Sequence, residues 1–508
     1  MSQELQKQGK GSSVNVSLHE GNNGQNTEGT IAPDWTPQEE QRVVRLIDWV
    51  LLPTLIAANF MVQIDRGNLA NSLTSTITED LSITTDQVNV GSQIFLVGVV
   101  IFELPSNLLM QIFPPQLWLS AQIFIWGFIA TFQSWIQNYG SFLATRFLLG
   151  LFEAGFEPGG IYVLSMWYKP SEFSSRIGYY YMGKLLASAI SGLLAAGILS
   201  LAGVGGWGGW RWLWLIEGLM TIFVAILFLL FHPKSVRNPS PLLGFNRWSY
   251  FSQRQQHIML SRLRISNTSC DILTDRSRRN VSWKELLDTF KNYRLWFHIA
   301  LTMLSACALH GLTLYTPRMI KSFGFNTVQS NALSSVAYFG AITMTIALGH
   351  LSDKTQRRGL FNLISATWSL ITWGCLLTLS DITNKWHKYA ILILANVCGV
   401  TTHVLNVAWV LGHCVSDQER GITSAVMTIA VNLGGLSGGQ IFNAKYAPSY
   451  HYSIRTITIV GAAAWIVAAA LIGVYYLDRR FNTVIIGLAQ SEGGETHGEQ
   501  EQQEQKSG

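Results

Sequence analysis

Long apolar runs separated by short polar breaks dominate the chain. Windows near the length of about 20 residues that a helix needs to cross a bilayer recur at roughly 46–69, 88–109, 117–136, 141–165, 177–200 and 211–232. After a hydrophilic stretch, a second set follows at roughly 295–317, 331–351, 360–380, 388–411, 421–443 and 453–477. Six windows, a gap and six more predict an all-α membrane protein of twelve transmembrane helices in two six-helix bundles, an arrangement common among secondary carriers. The predicted organisation is a tail over 1–44, a bundle over 45–232, a central loop over 233–294, a second bundle over 295–480 and a tail over 481–508. Both tails read as disordered and cytoplasmic.

A chain of 508 residues could hold several soluble domains, but 12% aromatic residues, 13% charged residues and a mean hydropathy of +0.24 argue against that. The central loop is basic, with Lys234, Arg237, Arg247, Arg254, Arg262, Arg264, Arg276, Arg278, Arg279 and Lys284 against Asp271, Asp275, Glu285 and Asp288. Lys and Arg accumulate in cytoplasmic loops, so this one faces the cytosol. The link between the first two windows carries Glu79, Asp80 and Asp86 and no Lys or Arg, as an external loop can. An even number of spans then leaves both termini in the cytosol. The formal charge of +5 therefore reports topology, not a nucleic-acid site. Residues 1–35, rich in Gly, Ser, Asn and Gln, read as a polar tail and not a signal peptide, so the first span itself targets the chain. Cys270, Cys307, Cys375, Cys398 and Cys414 show no metal or redox spacing and read as packing residues. Asn15, Asn267 and Asn280 head N-x-S/T triplets, but on the cytosolic side, where no glycan is added.

Candidate chemistry enters with the stretch SFLATRFLLGLFEAGFEPGGIYVLSMW, which carries Arg146, Gly150, Glu153, Ala154, Gly155 and Pro158 at membrane depth. Seven residues of helix turn through about 700°, placing Arg146 and Glu153 on one face about 10 Å apart along the axis. A charge facing lipid costs several kcal/mol, so both should face protein or a water-filled cavity, where such residues mark solute or proton paths. The alternative is a buried ion pair that only fixes helix packing.

GHLSDKTQRRG, from Gly349 to Gly359, lies between two spans and resembles the loop motif of the major facilitator superfamily. Gly349 allows close helix approach, Asp353 can cap a helix or receive a charge, and Lys354, Arg357 and Arg358 hold the loop inside. These positions read as gating residues. DRGNLAN at 65–71, FELPSNLL at 102–109, RFLLGLFEAGFEPGGIYVLSMWYKPSE at 146–172, GWRWLWLIEG at 209–218 and NLGGLSGGQIF at 432–442 are similar to the fungal allantoate-permease group of anion:cation symporters. The resemblance runs over about 42–480 and implies proton-coupled uptake, across the plasma membrane, of allantoate, a vitamin-like carboxylate, or sulfate and sulfur-containing organic anions. The chain departs from that pattern in MQIFPPQLW, which lacks basic residues, in Gly412 and His413 after Trp409, and in Lys184.

By the resemblance, Asp65 and Glu153 are the proton-carrying carboxylates, and Arg66 and Arg146 meet the anion. The residues agree: a desolvated carboxylate can exchange protons near neutrality, whereas Arg stays charged. For Asp65 and Arg66 the alternative is an interfacial cap on a helix that ends early. Lys184 lies about 10–12 Å inside its span, where it can either snorkel to the interface or face the cavity and bind substrate. Glu103, beside the helix-kinking Pro105, reads as gate support, with Ser106 and Asn107 satisfying freed carbonyls. Gly434 with Gly438, and Gly435 with Gly439, make small-xxx-small contacts. Asn432 is a ligand candidate, and His310, Tyr315, His403, Trp409 and His413 are cavity candidates in the second half.

No nucleotide loop, metal-ligand spacing or nucleophile constellation is present, which disfavours an ATP-driven pump and predicts neither enzyme chemistry nor a cofactor. The sequence thus predicts a monomeric carrier for a small anionic solute and protons. An exporter of the same fold and a non-transporting nutrient receptor are the alternatives.

Overall fold

The computed structural model describes residues 34–504 apart from 74, 245–248, 267–282, 326, 379–383, 415 and 442–449. Cys270, Asn15, Asn267 and Asn280 lie outside the described residues. Helix α1 (Pro37–Ser72) starts behind Thr36, whose hydroxyl accepts from Glu39 N–H while the Glu39 carboxylate accepts from Thr36 N–H. This capping box supplies partners for otherwise orphaned donors. A short α2 (Ile77–Asp80) leads to α3 (Thr85–Ile112), α4 (Pro115–Phe132), α5 (Tyr139–Glu153), α6 (Phe156–Trp167), α7 (Phe173–Leu199) and α8 (Gly209–Phe231). The connection carries α9 (Gln253–Ile265) and α10 (Trp283–Lys291). The second half comprises α11 (Tyr293–Ser322), α12 (Thr327–Thr355), α13 (Arg358–Leu376), α14 (Lys385–Val397), α15 (Gly399–Leu411), α16 (Asp417–Ile441) and α17 (His451–Glu504). Twelve spans are long and apolar enough to cross a membrane, six on each side of the connection. All regular structure among the described residues is helical.

Two features refine the sequence pattern. The fourth span is two helices, because Pro158 has no N–H to give Ala154 and its ring crowds that carbonyl. Gly155, in the gap, packs so tightly on Ser106 and Gln122 that a Cβ would overlap the Ser106 hydroxyl. The tenth span also breaks, at Cys398, whose carbonyl accepts from Ser365 Oγ at 3.0 Å. At the chain's end, α17 continues to Glu504, past the bundle edge expected at 480. Its final stretch is rich in Glu and Gln, good helix formers.

The core holds the bundles together at the end nearest the connection. One apolar cluster joins Leu51, Tyr162, Phe173 and Ile177 of the first bundle to Val404, Leu411 and Met427 of the second. In the second bundle, Gly434 and Gly438 let α16 ride against the α11 carbonyls of Met303 and Cys307, as small residues do where helices must approach without a hydrophobic drive. The connection docks on the first bundle through Arg262 of α9, which is fully buried and reaches Glu172 at 2.9 Å and the Trp167 carbonyl at 3.0 Å.

Candidate functional site

Helix α1 runs unbroken through Asp65 and Arg66, so neither is an interfacial cap. Asp48, near the opposite end of the same helix, is taken by Arg176 at 3.1 Å and by the Tyr168 hydroxyl at 2.8 Å. Arg66 instead turns to the fourth span: its Nε lies 2.5 Å from Glu153 Oε1 and its Nη1 3.6 Å from Glu157 Oε2. Lys184 of α7 does not snorkel, since its Nζ sits 3.0 Å from each oxygen of Glu157. The Tyr181 hydroxyl lies 3.0 Å from Glu157 Oε1 and 3.0 Å from His403 Nε2 on α15, linking one bundle to the other. Arg66 and Lys184 keep 19% and 21% of their side-chain surface accessible although they lie mid-span, so they border space open to water.

The break in the fourth span creates this arrangement. Glu153 closes α5 and Glu157 opens α6, and both are brought to the cations of α1 and α7. Glu103 of α3 faces the same group, near Glu157, Arg66, Lys184 and Asn432, with both carboxylate oxygens unpartnered. It therefore lies in the central charged cluster, while Asn107 donates to its backbone carbonyl at 3.1 Å. Ser106 accepts from Gln122 at 2.8 Å and from Trp118 at 3.1 Å. His310 completes the cavity wall from α11: its ring is exposed, packs on Gly435, and has Lys184, Glu157 and Arg66 as charged neighbours.

A second, drier cluster lies inside the first bundle. Asp65 is 1% exposed and accepts from Trp126 Nε1 at 2.9 Å and Thr221 Oγ1 at 3.1 Å. Arg146 shares a face with Glu153 but makes no ion pair with it. Its guanidinium packs over the rings of Trp214 and Phe142, with centroids at 5.0 and 5.6 Å, and its Nε and Nη2 have no hydrogen-bond partner. Asp65 and Glu153 are its charged neighbours. Glu217 of α8 is fully buried near Asp65 with neither carboxylate oxygen bonded.

Part of the loop motif ties the second half to the first. Asp353 accepts from the backbone N–H groups of Ser174 and Ser175 at 3.0 and 2.8 Å, so a C-half carboxylate caps the first turn of α7. Gly349 permits this contact, because its Cα faces Ser174 and Ser175 backbone at a distance that leaves a Cβ little room. Arg358 is buried, lies 3.6 Å from Asp353 and donates to the Ala408 carbonyl, whereas Arg357 is exposed. Tyr315 stands apart from the charges, packed beside Tyr450 and Arg318. Trp409 and His413 belong to a further aromatic group around Tyr475. Cys398 and Cys414 are buried, whereas Cys375 is exposed.

Glu157, Glu217 and Tyr181 join the site without having been singled out by the pattern of the chain. The rule that flags Glu153, an acid within an apolar span, flags both other acids as well; Tyr181 carries no such mark.

The profile described as Major Facilitator Superfamily matches residues 55–439. An uncharacterized transporter of Schizosaccharomyces pombe is 27% identical over 415 residues, covering 82% of this chain and 79% of the relative. Among solved structures, the proton:xylose symporter XylE bound to 6-bromo-6-deoxy-D-glucose superposes with a TM-score of 0.62 at 14% identity, covering 84% of this chain and 95% of that one. The E. coli fucose:proton symporter FucP gives 0.59 at 13% identity, with 83% and 98% covered. At such identities these likenesses concern the fold.

Proposed function

The chain belongs to the major facilitator superfamily, and on that premise we propose that it is a proton-coupled symporter importing a small organic or sulfur-containing anion by alternating access. The observation that carries this reading is the Arg66–Glu153 pair, which sets an always-charged, partly accessible anion ligand against a buried, protonatable acid at mid-span. Arg66, Lys184 and Arg146 supply positive charge, with Asn432 and His310 as polar contacts; Tyr315 would contribute only from the far end of α11. Asp65 and Glu153 take the protons, and Asp353 with Arg358 latches the connection end while the opposite end admits solute. The description of both solved neighbours as proton symporters supports the coupling. The motif resemblance to the allantoate-permease group supports an anionic substrate, a plasma-membrane location with both termini cytoplasmic, and a monomeric carrier.

The test is uptake into vesicles holding the purified protein in a known orientation, with labelled allantoate, nicotinate, pantothenate and sulfate offered in turn. An inward proton gradient should drive one of them above equilibrium, and a protonophore should abolish the accumulation. Gradient-driven expulsion would make the protein an exporter. Binding with no flux in either direction would make it a receptor.

A further inference from the structure

Glu157 occupies the place that an incoming anion would need. Lys184 Nζ is 3.0 Å from both of its oxygens, and Arg66 Nη1 approaches the second at 3.6 Å. A solute carboxylate cannot join Lys184 while this one is ionised, because Arg66 is already held by Glu153 at 2.5 Å and two anions would then compete for one ammonium. Resting on the symport reading above, we propose that Glu157 and a solute monocarboxylate exchange places on Lys184, each anion bound requiring one proton on Glu157. The proton comes from the solution that the cavity faces and settles on a Glu157 oxygen. The ammonium that this oxygen held then receives the solute carboxylate, so the cluster's net charge is the same loaded and empty. No covalent bond other than the carboxyl O–H forms.

The surroundings of Glu157 are fully charged or polar. From α7 it meets Lys184, Tyr181 and, through its backbone carbonyl, the hydroxyl of Tyr180 at 3.2 Å. Arg66 approaches from α1, Glu103 from α3 and Glu153 from α5. Across the cavity stand His403 of α15 and His310 of α11. Among these, the Tyr181 hydroxyl has one proton to give and two neighbours, Glu157 and His403. With Glu157 ionised, Tyr181 donates to it, and His403 Nε2 must donate to Tyr181. A protonated Glu157 releases that demand, so the hydrogen bond crossing between the bundles is sensitive to the same proton that admits the solute.

The experiment is equilibrium binding to the purified full-length protein from about pH 5 to about pH 8, using the monocarboxylate from the uptake panel that the wild type accumulates. Wild-type affinity should fall toward about tenfold per pH unit on the alkaline limb. Glu157→Gln should bind with an affinity independent of pH and at least as tight as the wild type at its best, and the number of protons entering the vesicle with each solute should fall by one. Because Glu157→Gln leaves Lys184 unpaired and could impair folding, the charge-balanced Glu157→Gln/Lys184→Gln double variant is measured beside it. That variant should be monodisperse and lack anion binding at every pH. Wild-type pH dependence in either variant overturns the exchange while leaving proton-driven uptake by the wild type intact. A wild type that accumulates sulfate but no monocarboxylate overturns the exchange and keeps the symport reading, and one that accumulates none of the four overturns both.

Discussion

The two bundles handle polarity at membrane depth in different ways. The first concentrates ionisable groups: Asp65, Arg66, Glu103, Arg146, Glu153, Glu157, Lys184 and Glu217. The second buries fewer charges, Arg358 and Arg420 among them, and relies more on amides, hydroxyls and imidazoles, several of which satisfy one another. Asn406 donates to the His298 carbonyl and Thr302 Oγ1, each at 2.9 Å, and His298 closes the set through Asn406 Oδ1 at 2.6 Å and Tyr475 at 3.1 Å. Ser365 with Thr402, Thr345 with Thr401, and Asn396 with Thr316 repeat the device. Among the described residues, every buried carboxylate oxygen without a partner, on Asp65, Glu103, Glu153 and Glu217, belongs to the first bundle. An unsatisfied buried group costs about 1–3 kcal/mol, more when charged. Such a cost is retained where the group must change partners. The first bundle is thus equipped to move charge, and the second to hold its shape.

The largest test of that contrast is Glu153→Gln. The amide keeps size and hydrogen bonding but no exchangeable charge, and it leaves Arg66 partly unpaired, where breaking a buried pair costs about 3–5 kcal/mol. Proton-driven accumulation in vesicles should fall by about 100-fold, while solute exchange down a gradient persists. Accumulation at the wild-type level would remove Glu153 from the coupling.

Arg146→Lys should follow, with uptake reduced about tenfold at equal membrane abundance. The guanidinium lies over the Trp214 ring, and an ammonium point charge reproduces neither that delocalised contact nor the fork. An unchanged rate and affinity would mean that Arg146 only packs.

Asp353→Asn acts at the seam between the bundles. Hydrogen bonds to a charged acceptor contribute about 1.5–3 kcal/mol, so weakening those to Ser174 and Ser175 should raise maleimide labelling of a buried Ser165→Cys reporter at the seam by about tenfold. Unaltered labelling would show that Asp353 does not latch this end. The smallest effect on transport is expected from Asn406→Ala. It should lower the melting temperature, since it strips partners from His298 and Thr302, yet leave solute affinity within about twofold, because loss of a buried hydrogen-bond partner costs about 1–3 kcal/mol of stability only. A large loss of affinity would give the second bundle a share of the binding chemistry.

The span pattern was legible because membrane helices declare themselves by length and hydropathy alone. Asp65, Arg66 and Glu153 were legible for the same reason, as charges where charge is costly. Their pairing was not: Arg66 and Glu153 are 87 positions apart, and helical periodicity relates only near neighbours, so it pointed to Arg146 as the companion of Glu153. The break after Glu153 was foreshadowed by Pro158, but the rule that proline interrupts a helix does not say which side chains the interruption re-aims. Lys184 left two destinations open until Glu157 supplied a partner. In the loop motif, Arg357 and Arg358 look equivalent in sequence; only the approach of Ala408 distinguishes the buried one.

The seam at the connection end is fastened unevenly. Where α12 meets α7, Asp353 grips two backbone amides and Gln356 adds a bond to the Ser171 carbonyl at 3.0 Å. At the opposite corner, α16 meets α3 with Gly421 against Gln111, whose side-chain amide nitrogen is unbonded, beside the uncharged turn of Phe113 and Pro114. A joint clamped along one edge and merely abutted along the other yields by peeling. If the bundles part at this end, the edge at Gly421 and Gln111 is the weaker one, and the load then falls on the contacts of Asp353 and Gln356. On the alternating-access reading the bundles then need not let go all at once, and the grip expected to fail last is Asp353 on the first turn of α7.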